Sequence, residues 1–179
     1  MTNYGHIVLA NSKTAWLAQA IKWMTKSNWS HSLLTTPPQF GREMGLEAAM
    51  NGISSVPFDL QYRNNSDSGY RVYYVMVDDS IKDAAISTCL NDLESMYGYL
   101  EYPWFIWRAI NRWFGRDIKS HNNWFSQGEV CSQLCVKYLT LCKLGQLFDG
   151  YGKNTITPQD LQEIINANPK YFELIETKE

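Results

Sequence analysis

One cysteine in this chain stands where a thiol can act as a nucleophile. The segment 128–134, GEVCSQL, places Cys131 near the start of a predicted apolar helix. The first turn of a helix carries free backbone N–H donors and a partial positive charge, which favour a thiolate and can stabilise an oxyanion. Cys131 is therefore the candidate nucleophile. Two alternatives stay open: a buried structural thiol, and a capping box at 126–129 that would begin the helix earlier and leave Cys131 in its second turn.

A catalytic thiol needs a base, and His31 is the histidine best placed to supply one. The chain has histidines at positions 6, 31 and 121, and only His31 lies inside a predicted strand, which is a rigid mount. A hairpin symmetric about Gln39 sets His31 opposite Glu47, with their Cβ atoms about 5 Å apart. Glu47 would then orient the imidazole and stabilise its protonated form, as the third member of a triad does. This register is a hypothesis, since a slip of one residue would turn Glu47 to the other face.

The surrounding pattern predicts an α+β domain that positions these residues. Apolar runs and alternation predict strands at 7–10, 30–36, 45–50 and 70–77, the middle two joined as a hairpin through the turn-rich segment 37–41. Apolar stripes at helical spacing predict helices at 14–26, at 80–97 and from 131 onwards, and Thr157 with Pro158 begins a late helix. The helices predicted at 80–97 and from 131 onwards should pack on the sheet. An aromatic-rich segment at 102–114 and a polar loop at 116–123 lie between them. With no repeat or linker, residues 1–179 are predicted to form a single domain.

Composition narrows the classes of function. A chain of 179 residues with 45% hydrophobic content suits one compact domain. Its 16 basic and 18 acidic residues form no basic tract, so nucleic acid is a poor partner. Four cysteines, at 89, 131, 135 and 142, lack metal-ligand and disulfide-scaffold spacings, so reduced thiols and no metal are expected. The N-terminus lacks the pattern of a secretory signal and no apolar stretch would span a bilayer, so cytoplasmic synthesis is expected, with export by another route or virion delivery left open.

Five short motifs, taken in order, resemble one family. They are GHIVL at 5–9, WSHS at 29–32, LEA at 46–48, VCSQL at 130–134 and ITPQDL at 156–161. Together they are similar to the permuted papain-like cysteine hydrolases, the circularly permuted, YiiX-like branch of the NlpC superfamily. In that family the histidine and the acidic residue precede the cysteine, as they do here. The resemblance covers nearly the whole chain and implies an α+β, permuted papain-like fold, with an antiparallel sheet packed against helices and the nucleophile at the start of a central helix.

The resemblance also implies roles for individual residues. Cys131 would be the nucleophile, His31 the general base and then acid, and Glu47 the residue that orients His31, without a metal or an organic cofactor. The chain departs from the family with Gln133, where glutamate is common, and with His6, where an opening Gly-Asp-Ile would have aspartate. Neither departure removes a member of the triad, and both bear on the electrostatics of the cleft.

The expected chemistry is acyl transfer through a thioester. The leading substrate class is an amide in a peptide or in a peptidoglycan fragment, because much of the superfamily cleaves such bonds. An acyl lipid is the second class, since permuted members include enzymes that resemble lecithin:retinol acyltransferase, and the aromatic content would suit an acyl chain. A third reading is a non-catalytic binding or assembly module of a phage or bacterium. The sequence leaves the oligomeric state unknown.

Overall fold

Six antiparallel strands form one sheet in the order β4-β3-β2-β1-β5-β6. The structure, a computed structural model, describes residues 3–15, 18–19, 22–23, 27–49, 52–93, 114, 131–151 and 156–179. The strands, in chain order, are β1 Ile7–Ser12, β2 His31–Gln39, β3 Arg42–Ala49, β4 Gly52–Pro57, β5 Ser68–Val75 and β6 Phe172–Lys178. Helices pack against the sheet, and this is the α+β arrangement that the sequence predicts. Along the described ranges, no helix has the length and apolar character needed to cross a bilayer.

Alternation along the strands divides the core between the two faces of the sheet. Successive strand side chains point to opposite faces. In β1, Ile7 and Leu9 belong to the larger cluster, which also contains the buried side chains of the helices. Val8 and Ala10 belong to a smaller cluster on the other face, with Leu33 and several aromatic rings. Burial on both faces makes the centre of the sheet a rigid platform for the residues at its strand ends.

Three α-helices are described: α1 Asp79–Leu90, α2 Cys131–Leu139 and α3 Pro158–Ala167. The predicted packing of α1 and α2 on the sheet is confirmed, because Ile86 and Leu134 share the larger cluster with strand residues. The predicted late helix start is also confirmed. The Thr157 hydroxyl accepts a hydrogen bond from the backbone N–H of Asp160, whose carboxylate accepts one from the backbone N–H of Thr157. A short π-helical turn, Asp59–Arg63, lies between β4 and β5.

The β2–β3 hairpin forms as predicted, but its register was predicted wrongly. The turn is the two residues Phe40 and Gly41, which both have positive φ (52° and 74°), the conformation that matches the twist of a hairpin. Strand β2 therefore extends through residues 37–39, and its pairing with β3 is irregular between Thr36 and Gln39.

Several predicted features lie outside the described residues. These are most of the helix at 14–26, residues 94–97 of the helix predicted at 80–97, the aromatic segment 102–114 except Phe114, the loop 116–123 and the capping box at 126–129. The helix predicted at 80–97 ends earlier than predicted, at Leu90, and residues 91–93 form a turn. Strands β4 and β6 were not predicted from the sequence.

Candidate active site

The two ends of the predicted hairpin bring His31 and Glu47 into contact. His31 is the first residue of β2 and lies opposite Ala10 of β1. Glu47 lies opposite Leu33, so the predicted pairing of Glu47 directly with His31 is wrong by two residues. Because strand side chains alternate with a period of two, this shift leaves both side chains on the same face as diagonal neighbours. The imidazole Nε2 of His31 is 3.1 Å from Oε2 of Glu47.

Three donors converge on the Glu47 carboxylate, which is 5% exposed. Besides His31, the hydroxyl of Tyr62 donates to Oε2 at 2.5 Å and Nε2 of Gln61 donates to Oε1 at 3.1 Å. Gln61 and Tyr62 both come from the π-helical turn, a conformation often found at functional sites. Sequence reasoning missed both residues, since no motif marks them. Their hydrogen bonds hold the carboxylate in one orientation toward the imidazole.

Cys131, the first described residue of α2, interacts with the same imidazole. Its side chain is 8% exposed and hydrogen-bonded to His31. Since Nε2 of His31 faces Glu47, Nδ1 is the ring nitrogen left for the thiol. The structure thus brings together the three residues predicted for the site, with His31 hydrogen-bonded to both Glu47 and Cys131. We call this hydrogen-bonded set the row. Helix α2 is described from Cys131 onward, and the residues that precede it lie outside the described ranges.

The electrostatics of the row favour a thiolate beside an imidazolium. Burial alone raises the pKa of Cys131, but the hydrogen bond and positive charge of His31, with smaller contributions from Ser32, bring that pKa below its ordinary value. Burial alone lowers the pKa of His31, but the hydrogen bonds with Cys131 and Glu47 outweigh it and raise that pKa to about 10. The pKa of Glu47 would be raised by burial, yet the bonds from His31, Tyr62 and Gln61 hold it below its usual range. The His31 imidazolium thus stabilises the Cys131 thiolate and the Glu47 carboxylate, and both of these stabilise the imidazolium.

Two other buried cysteines, Cys135 and Cys142, have the opposite tendency. Burial raises the pKa of Cys142 to about 11, and burial also raises the pKa of Cys135, one turn after Cys131 in α2. A depressed pKa is what makes a cysteine reactive at neutral pH, whereas a buried thiol of raised pKa is inert. Cys131 is therefore distinguished from Cys135 and Cys142 by its contact with His31.

A cleft of about 360 Å³ opens onto His31 and Glu47. Its lining combines small apolar side chains with polar ones: Ala10, Asn11, Ser12, Ala15, Ala18, Ser30, Ala49, Gln61, Tyr62, Asn65, Asp67 and Ser68. Among these described residues, the apolar surface comes from alanines and from the ring of Tyr62. The cleft thus reaches the imidazole and the carboxylate of the candidate site, and Cys131 is not among the described residues that line it.

No protein-family model matches the sequence, and no curated protein matches it. Among solved structures, the chain is similar to the crystal structure of a protein described as the metalloprotein YiiX of Escherichia coli O157:H7, with a TM-score of 0.57 and 14% sequence identity. The match covers 98% of this chain and 97% of that one. This likeness shows a YiiX-like fold, in which an antiparallel six-stranded sheet packs against helices.

Because that neighbour is described as a metalloprotein, the arrangement of the potential metal ligands in this chain is relevant. The described contacts among the three candidate side chains are the hydrogen bonds that His31 makes with Glu47 and with Cys131. Within the described ranges, no group of three or more His, Cys, Asp and Glu side chains is arranged to hold a metal ion. The residues described do not fit a metal centre.

Proposed function

We propose that this protein is a cysteine hydrolase of the permuted papain-like type, which cleaves an amide bond through a thioester on Cys131. The single observation that carries the proposal is the hydrogen-bonded row of Cys131, His31 and Glu47, in which the thiol pKa is lowered and the imidazole pKa is raised. A nucleophile bonded to a base that is itself oriented by a third group is the arrangement that covalent acyl transfer requires.

The first half of the reaction acylates the enzyme. The thiolate of Cys131 attacks the substrate carbonyl carbon, an S–C bond forms, and the carbonyl π electrons move to oxygen. Backbone N–H groups near Cys131 stabilise the resulting oxyanion. When the intermediate collapses, the C–N bond breaks and the imidazolium of His31 gives its proton to the departing amine.

The second half releases the acyl group. Neutral His31 takes a proton from water, the resulting hydroxide attacks the thioester carbonyl, and the S–C bond breaks. Cys131 leaves as the thiolate and His31 is again protonated. Throughout, Glu47 stays ionised, keeps the imidazole in its orientation and stabilises the positive charge, which makes Glu47 a positioning residue.

The lining of the cleft supports an amide in a peptide or peptidoglycan fragment over an acyl lipid. The described lining has hydroxyl, carboxamide and carboxylate side chains beside its alanines, and it has no Leu, Ile, Val, Phe, Met or Trp. Ligand sites usually pair apolar walls with a few polar groups, and a long hydrocarbon chain would need more apolar surface than these residues provide. The acyl lipid remains the second candidate, and a binding or assembly module is the alternative without catalysis.

The test is capture of the acyl-enzyme. The protein is incubated with muropeptides, with short peptides and with phospholipids, quenched in acid and measured by mass spectrometry. A mass increase located on Cys131, with released amine, supports the proposal, and Cys131→Ala should abolish both signals. Cys142→Ala, the same substitution at a thiol outside the row, is the matched control and should retain them. If no substrate is cleaved and no thioester forms while the protein is folded, the binding module replaces the hydrolase.

A further inference from the structure

The residue that follows His31 carries a buried hydroxyl without an ordinary partner. The side chain of Ser32 is 0% exposed. Among the described residues, no group makes a hydrogen bond of ordinary geometry with its Oγ. Buried polar groups nearly always have a partner, because leaving one unsatisfied costs stability. The surroundings of Ser32 therefore decide what its hydroxyl can bind.

Strand pairing turns the Ser32 side chain toward helix α2. Ser32 lies opposite Leu9 of β1, and directly opposed residues of paired strands point to the same face of a sheet. Leu9 belongs to the larger core cluster, which also contains Leu134 and Cys135 of α2. Helix α2 packs directly on β2. The hydroxyl therefore faces the helix whose first described residue is Cys131.

Two thiols of α2 lie close to this hydroxyl. Cys131 and Cys135 are four residues apart, so their side chains occupy the same face of the helix. Both thiols are near enough to interact with the Ser32 hydroxyl, although neither completes a hydrogen bond of ordinary geometry with it. Cys131 also interacts with the backbone N–H of Ser32. Because both cysteines are buried, water competes little for these contacts.

The protonation states of the two thiols decide the direction in which the hydroxyl donates. A hydroxyl has one hydrogen to donate and lone pairs that accept, whereas a thiolate only accepts. His31 lowers the pKa of Cys131, and burial raises the pKa of Cys135. At neutral pH the charge is therefore on Cys131, and Cys135 keeps its proton. The O–H of Ser32 then points to Sγ of Cys131, and the S–H of Cys135 can donate to Oγ of Ser32.

We propose that Ser32 is a positioning residue of the hydrolase, whose hydroxyl donates to the Cys131 thiolate, holds Sγ beside His31 and accepts from the Cys135 thiol. The inference rests on the proposed function, because it assigns a further group that ionises and orients the same nucleophile. A hydrogen bond to a charged acceptor is stronger than one between neutral groups. A hydroxyl that also accepts a bond is polarised by it and donates more strongly. Since Ser32 is fully buried, it acts through Cys131.

Ser32→Ala tests the hydroxyl alone, because the backbone N–H of residue 32 is kept. The pKa of Cys131 is read from the pH dependence of iodoacetamide alkylation, resolved by site with mass spectrometry; the thiolate forms an S–C bond and iodide leaves. Loss of the donor should raise this pKa by about one pH unit. Because the intrinsic nucleophilicity of a thiolate rises with its pKa, the variant should react more slowly in acid and faster once both proteins are fully ionised. A loosened fold would instead expose Cys135 to alkylation and give no such crossover.

Ser132→Ala is the matched control for the loss of a buried hydroxyl. Ser132 is next to Cys131 and is 1% exposed, but its hydroxyl donates to the backbone carbonyl of residue 156. The pKa of Cys131 should therefore keep its wild-type value in this control. Cys135→Ala tests the second contact and should raise the pKa of Cys131 by less than Ser32→Ala does. That increase should vanish when residue 32 is already alanine, because Cys135 acts through the hydroxyl.

The outcomes separate this inference from the proposed function. If Cys131 ionises below the pKa of about 8.5 of a free thiol, and Ser32→Ala leaves its pKa unchanged, the role of Ser32 is overturned and the proposed function stands. An equal increase in Ser132→Ala also overturns it, since any lost hydroxyl would then suffice.

The His31→Ala background decides the contact independently of the row. There the imidazole contributes nothing, and Ser32→Ala should still raise the pKa of Cys131 by about one pH unit. The ultraviolet absorbance of the thiolate gives this pKa where alkylation is slow. If Cys131 is unreactive in the wild type, the proposed function fails, and equal pKa values in this background overturn the Ser32 contact as well.

Discussion

Replacing Glu47 with glutamine isolates the charge that stabilises the His31 imidazolium. A glutamine oxygen at the position of Oε2 can still accept from His31 and from Tyr62. The amide of Gln61 lies at an exposed position and can rotate so that its oxygen accepts from the new NH₂ group. Glu47→Gln should therefore preserve the hydrogen-bond geometry and remove one negative charge.

The size of the effect follows from the 3.1 Å between Nε2 of His31 and Oε2 of Glu47. At an effective dielectric constant of about 20, two unit charges at that distance interact by about 5 kcal/mol. The imidazole is 22% exposed, and solvent reduces this value. Carboxylates this close typically shift a pKa by about 1–3 units, or about 1.4–4 kcal/mol. We expect Glu47→Gln to lower the pKa of His31 by that amount from about 10.

NMR titration of the imidazoles measures the pKa of His31 directly. The chain has only three histidines, so few signals need to be assigned. His6 is distinguishable, since burial and the nearby charge of Lys82 lower its pKa to about 4. Glu43→Gln is the matched control: Glu43 is in the same strand but pairs with Arg63, so His31 should titrate as in the wild type. A wild-type His31 that titrates near 6.5, or one whose pKa is unchanged in Glu47→Gln, would refute the reasoning.

The remaining predictions concern stability. Tyr62→Phe keeps the buried ring but removes the hydroxyl that donates to the Glu47 carboxylate, and urea denaturation should show a loss of about 1.5–3 kcal/mol. Thr157→Ala breaks the capping box with Asp160 and should cost about 1 kcal/mol, which calorimetry would detect as a melting temperature about 2–4 °C lower. Folding raises the pKa of His31 from 6.5 to about 10, so its contribution to stability is fully present below about pH 6.5 and is lost as pH rises through about 10. The difference in unfolding free energy between wild type and Glu47→Gln should accordingly shrink between pH 6.5 and pH 10.

The strands missed by the sequence analysis are the two edges of the sheet. β4 and β6 stand at opposite ends of the strand order, whereas the four predicted strands lie between them. A central strand is covered on both faces, so its residues read as an apolar run or a clear alternation. β6 has mostly exposed side chains, Leu174 and Ile175 among them, and β4 is a short segment with two serines. Such edge strands carry too weak a pattern to be recognised from composition.

The sequence predicted which residues make the row but not how they meet. The prolines at 37 and 38 favoured a turn there, yet they lie within β2, and the turn uses Phe40 at positive φ, which no propensity rule predicts for phenylalanine. The register was predicted wrongly by two residues. Because this number is even, His31 and Glu47 still lie on the same face of the sheet and make contact. Tyr62 reaches Glu47 only through the π-helical turn.

The central claim, a thiolate on Cys131 sustained by His31, is tested most directly by alkylation across pH. Iodoacetamide modification of each cysteine is followed by mass spectrometry in the native protein and in His31→Ala, with Cys135 and Cys142 as internal references. We predict that Cys131 reacts well below the pKa of about 8.5 of a free thiol, that the references do not, and that His31→Ala removes the difference. A native, folded protein in which Cys131 is as inert as Cys135 and Cys142 would contradict the account.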